Sequence, residues 1–85
     1  MHVAGVIVRA RPGQAKAARH EIQSINGADV HGVSKEGKLV VTLLGDTRNE
    51  VADILMGLEG RSPILSATLV YEESDSDFFA EGAVQ

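Results

Sequence analysis

The 85-residue chain has no cysteine and no tryptophan, and its only aromatic residues are Tyr71, Phe78 and Phe79. The absence of cysteine excludes a disulfide framework, a thiolate metal site and a cysteine nucleophile. No apolar run approaches the ~18 residues that a membrane-spanning helix needs. No basic stretch precedes an apolar one at the N-terminus, as a secretory signal would require, so a cytoplasmic protein without membrane insertion is expected. What is present is ordinary globular composition, 44% hydrophobic and 24% charged. A chain this short allows one small domain, with a thin core that hides roughly 60–65% of its unfolded surface.

The formal net charge of −4 is unevenly placed. Residues 72–85 hold five acids and no base, which leaves seven acids against eight bases before them. The body is therefore nearly neutral, with a basic beginning at Arg9, Arg11, Lys16 and Arg19. Residues 1–73 are expected to form the domain and 74–85 an acidic extension, interrupted by Phe78-Phe79, which could act as a hydrophobic hook.

Val, Ile and Ala dominate His2–Arg11, a strand ended by Pro12-Gly13. Ala15, Ala18, Ile22 and Ile25 then recur at helical spacing over Gln14–Ile25. Asn26-Gly27 stops this helix, with Gly27 suited to the left-handed position after its end. Ala28–Lys35 and Lys38–Leu44 read as a hairpin around the two-residue turn Glu36-Gly37. Thr47 and Glu50 have capping-box spacing before the helical repeat Val51, Ile54, Leu55, Leu58. Gly60 ends that helix, and Pro63 opens a last strand from Ile64 to about Glu72. The order βαββαβ, a strand–helix–glycine–strand unit used twice, predicts an α+β ferredoxin-like fold. Its four-stranded antiparallel sheet should run 4-1-3-2, with both helices on one face.

The turn assignment fixes the faces. It sends Val6, Val8, Val30, Leu39, Val41, Leu43, Leu65, Ala67 and Leu69 toward the helices. The other face would then carry Ile7, Arg9, His31, Val33, Val40, Thr42, Leu44, Thr68, Val70 and Glu72, and no element remains to cover it. Its apolar strip suggests a contact surface, for a partner or for a second copy in a weak dimer. Tyr71 falls on the helix side by this alternation. The open face would then lack the stacking aromatics of an RNA-recognition motif, and nucleic acid is not expected as a partner.

Catalytic and metal signatures are missing. His20-Glu21 resembles the start of HExxH, but Ser24 stands where the second histidine belongs. His2, His20 and His31 lie on separate elements, so no shared metal and no cofactor are expected. Acylphosphatases share this topology and use an arginine in the first strand–helix loop with a strand asparagine. Arg11-Pro12-Gly13 could hold an anion there, but the third strand has no asparagine. A binding protein rather than an enzyme is expected.

Three segments together resemble the NapD family: the strand from Gly5 to Pro12, the hairpin from Val30 to Leu43, and the closing Ile64–Tyr71 (ILSATLVY). The likeness covers about residues 1–73, and Glu72 stands where the family often has a histidine. The resemblance implies a ferredoxin-like chaperone of the cytoplasm. It would bind the twin-arginine signal peptide of the periplasmic nitrate reductase precursor and delay export until the molybdenum cofactor is inserted. The expected peptide site is Ile7, His31, Val33, Val40, Thr42, Leu44, Thr68 and Val70. Glu36, Glu72 and Glu73, expected together at one end of the sheet, would accept the two arginines. The alternative is a small regulatory domain that binds an anion or metabolite at Arg11-Pro12-Gly13 and dimerises through its sheet.

Overall fold

Alternation in the first strand sets the architecture. β1 (His2–Ala10) buries Ala4, Val6 and Val8 on one side and leaves Ile7 and Arg9 on the other. A computed structural model describes residues 1–74; of the expected tail 74–85, Ser74 belongs to the last strand, and 75–85, with Phe78-Phe79, lie outside the described residues. The further elements are α1 (Ala15–Gln23), β2 (Ala28–Val33), β3 (Lys38–Gly45), α2 (Arg48–Glu59) and β4 (Ile64–Ser74). All strand pairs are antiparallel and the sheet order is β2-β3-β1-β4, the expected ferredoxin-like arrangement.

The core lies between one sheet face and the two helices. Ala18 and Ile22 of α1 and Val51 and Leu58 of α2 meet Ala4, Val6, Val8, Leu39, Val41, Leu43 and Ile64, all buried. The Thr47–Glu50 cap is present. The Glu50 N–H donates to Thr47 Oγ1 at 3.2 Å, and the Thr47 hydroxyl donates to the Glu50 carboxylate at 3.4 Å. Gly27 does not sit directly after α1. It is the third residue of a turn closed by Ala28 N–H donating to the Ile25 carbonyl at 3.2 Å, with φ +93°. A side chain there would meet the Leu44 carbonyl 2.5 Å from its Cβ, so both conformation and space require glycine.

Two details of register differ from the sequence expectation. The hairpin loop has three residues, Lys35-Glu36-Gly37, not two. Ser34 N–H donates to the Lys38 carbonyl at 2.8 Å, and Gly37 takes the left-handed conformation at φ +83°, as a type I turn followed by a bulge requires. Val33 therefore pairs with the core residue Leu39 and leaves the open face, where it was expected opposite Val40. A bulge between Val30 and Gly32 adds a second one-residue shift. Two shifts restore the parity, so Val30 still faces the helices and His31 the open side.

In β4 a single bulge has the opposite consequence. Gly5 pairs with Tyr71 and Val6 with Leu69, leaving Val70 as the extra residue. Every side chain beyond it changes face. Tyr71 joins the open face, and Glu72, expected there, passes to the helix side beside Ala4. A second shift between Arg9 and Ala10 puts Ile64 in the core and leaves Leu65, expected there, exposed.

The open face of the sheet

Among the described residues no element covers the sheet face away from the helices, and the strand pairings arrange it as four rows. Leu44, Val3 and Glu73 form the first, at the start of β1. Asp29, Thr42, Gly5 and Tyr71 form the second, and His31 with Gly32, Val40, Ile7 and Thr68 the third. Lys38, Arg9 and Ser66 form the fourth, at the end of β1. Of the eight expected contact residues, Ile7, His31, Val40, Thr42, Leu44 and Thr68 share this face. Val70 stands exposed in the bulge beside Tyr71, and Val33 has moved off.

The middle of this surface is apolar and accessible. Val40 is 48% exposed and Val70 60%, while Ile7 and Leu44 are half-buried between neighbouring strands. His31 Nε2 and Thr42 Oγ1 lie 2.7 Å apart, fixing the imidazole against the strand next to its own. Tyr71 is the residue that alternation missed. Its ring occupies the space above Gly5, where a Cβ would come within 2.1 Å of the ring edge. The clue in the sequence was Gly5 itself, since a glycine inside a strand marks a bulge or a close approach.

Charge is divided along the strands. Arg9 and Lys38 face each other at one end, and Asp29 and Glu73 lie toward the other. The expected grouping of Glu36, Glu72 and Glu73 does not form. The β2–β3 loop lies by the end of β1, where Ala10 N–H donates to the Gly37 carbonyl at 2.9 Å, so Glu36 belongs to the basic end. Antiparallel β4 brings Glu72 and Glu73 back to the start of β1. Glu72 is further withdrawn by its partners, Arg48 Nη2 at 2.9 Å and the buried His2 Nε2 at 3.3 Å. Among the described residues no cluster of His, Asp and Glu could hold a metal ion, and no helix is long and apolar enough to cross a membrane.

A βαββαβ chain with both helices on one face of the sheet and an apolar, charge-flanked opposite face is a ferredoxin-like domain. The model of the NapD family, described as NapD protein, matches residues 1–76, and the chain belongs to that family. Among solved structures, the solution structure of the E. coli Tat proofreading chaperone protein NapD superposes with a TM-score of 0.77. It covers 86% of this chain and 78% of that one at 16% identity, a likeness of fold. No curated protein matches the sequence.

Proposed function

We propose that this protein is a chaperone that holds a twin-arginine signal peptide on its open sheet face. Its cargo in this reading is the precursor of the periplasmic nitrate reductase catalytic subunit, retained in the cytoplasm until its molybdenum cofactor is in place. Family membership supports the chaperone role. The observation that carries the binding mode is the exposed apolar centre of the sheet, with Asp29 and Glu73 toward one end of that face and Arg9 and Lys38 at the other.

The mechanism follows from the rows. An amphipathic peptide helix lays its apolar side on Val40, Ile7, Leu44 and Val70, which lose water on contact. Its arginines go to the end that carries Glu73 and Asp29, because Arg9 and Lys38 repel them at the other. Glu73 is the accessible carboxylate of the expected trio. Glu72 would have to leave Arg48 first, and Glu36 lies at the wrong end. The exposed Tyr71 ring, between Glu73 and the apolar rows, offers a guanidinium a π-face.

Tyr71 is the only tyrosine and the chain has no tryptophan, so intrinsic emission reports this surface alone. A twin-arginine peptide without aromatic residues is expected to change that emission and to bind at least about tenfold more tightly than its Lys-Lys version. Val40→Asp is expected to weaken binding by a similar factor, because a charge is buried in an apolar contact. Unchanged affinity in a folded Val40→Asp protein overturns the open-face site. Equal affinity for the Lys-Lys peptide overturns the arginine recognition.

A further inference from the structure

Two of the eight lysines and arginines have carboxylate partners among the described residues: Arg48 with Glu72, and Arg61 with Glu21 at 3.1 Å. Four of the others, Arg9, Arg11, Lys16 and Lys35, line one cleft of about 620 Å³ between the end of β1, the start of α1 and the β2–β3 loop. Lys38, outside the lining, stands directly opposite Arg9 in the β1–β3 register. Like charges opposed across neighbouring strands are destabilising. Glu36 is the one acid of the lining, and it forms no ion pair with these cations.

The side-chain donors of the cleft have no carboxylate partner among the described residues, and one of them is held in place. Arg11 is anchored by Nε donating to the Ser62 carbonyl at 2.9 Å, which leaves its two terminal nitrogens available. The first turn of α1 opens on the same cleft without an acidic residue and without a side-chain cap at Gln14. Pro12 and the exposed Leu65 supply apolar wall.

We propose that this cleft binds a phosphate group. The donors come from three separate elements and so approach a ligand from several directions. A tetrahedral anionic phosphate, whose two or three unesterified oxygens point in different directions, can accept from several of them at once, whereas a planar carboxylate is satisfied by one arginine fork. The volume admits the organic part of a phosphoester as well. A soluble phosphate compound and a phospholipid headgroup present the same chemistry. The site lies at the far end of the sheet from Glu73, and its Lys16 and Lys35 are off the open face, so it does not depend on the signal-peptide reading.

The test uses the full chain at fixed, near-physiological ionic strength. Pyrophosphate is titrated calorimetrically, and co-sedimentation is measured with phosphatidylglycerol vesicles against phosphatidylcholine vesicles. Binding of pyrophosphate identifies a soluble ligand; binding of phosphatidylglycerol vesicles alone identifies the headgroup. In either case Lys16→Gln combined with Lys35→Gln is expected to weaken binding at least about tenfold, as loss of charge-assisted hydrogen bonds implies. Arg19→Gln, on α1 but outside the cleft, is expected to leave it unchanged, as is twin-arginine peptide affinity in the double variant. Absence of binding to both pyrophosphate and phosphatidylglycerol overturns the proposal. So does an Arg19→Gln effect as large as that of the cleft pair, which would mark general attraction to a basic surface.

Discussion

The β1–α1 and β3–α2 junctions hold equivalent places in the two halves of the fold, and antiparallel β1 and β3 put them at opposite ends of the sheet. At the second junction the helix start is closed. Thr47 caps the Glu50 amide, Glu50 supplies negative charge to the first turn, and Arg48 is tied to Glu72. At the first junction the helix start is open: Gln14 makes no cap, no acid lies in the first turn, and Arg9, Arg11 and Lys16 gather around it. Both helices are amphipathic and both reach the same core, so packing does not explain the difference. Local hydrogen bonds suffice to stabilise the α2 start; the α1 start keeps its donors available. A fold built from two similar units can thus keep one junction for stability and leave its counterpart for recognition, because the shared core supports both.

Substitutions in the two halves test how far that contrast extends. The largest effects are expected in the core, where the halves should behave alike. Ile22→Ala in α1 and Leu58→Ala in α2, both at fully buried positions, should each cost about 2–5 kcal/mol in urea unfolding. A cost below about 1 kcal/mol for either would show that the halves do not share the core equally. The junctions should then separate. Thr47→Ala is expected to cost about 1 kcal/mol, whereas Gln14→Ala should stay within about 0.5 kcal/mol. Equal losses would remove the distinction between a capped and an open helix start. Gln14→Asp should add about 0.5 kcal/mol by capping α1. The same change should weaken any anion in the cleft, an outcome read by pyrophosphate titration. A similarly small effect is expected of Arg48→Ala. Its pair with Glu72 involves an arginine side chain that is 75% exposed, so screening should hold the loss to about 0.5 kcal/mol, fading further in high salt.

Much of the fold was legible because its signals are local. The 3–4 spacing of Ala18, Ile22 and Ile25, the Thr47–Glu50 cap and the Val-rich strands gave the element order. The order gave the topology, since few connections of such units are possible. The site was only partly legible. Ile7, Val40, Thr42, Leu44 and Thr68 were placed on the open face because they lie within uninterrupted alternation. His31 and Val30 kept their faces because the longer turn and the β2 bulge each shift the register by one. Val33, between those two shifts, did not. Tyr71 and Glu72 exchanged faces because a bulge at Val70 leaves no repeat in the sequence to mark it.

By itself the sequence determined a ferredoxin-like fold of the NapD type, with both helices on one sheet face. Hydrophobic periodicity is set residue by residue, and the two helices among the described residues pack on the same face. Which side chains stand on the other face was decided by the tertiary structure, through the β4 bulge that lifts Tyr71 over Gly5 and turns Glu72 toward Arg48 and His2. The separation of Asp29 and Glu73 from Arg9 and Lys38 along that face was decided there too. It depends on which strand ends lie side by side, and antiparallel pairing fixes that only when the sheet is assembled.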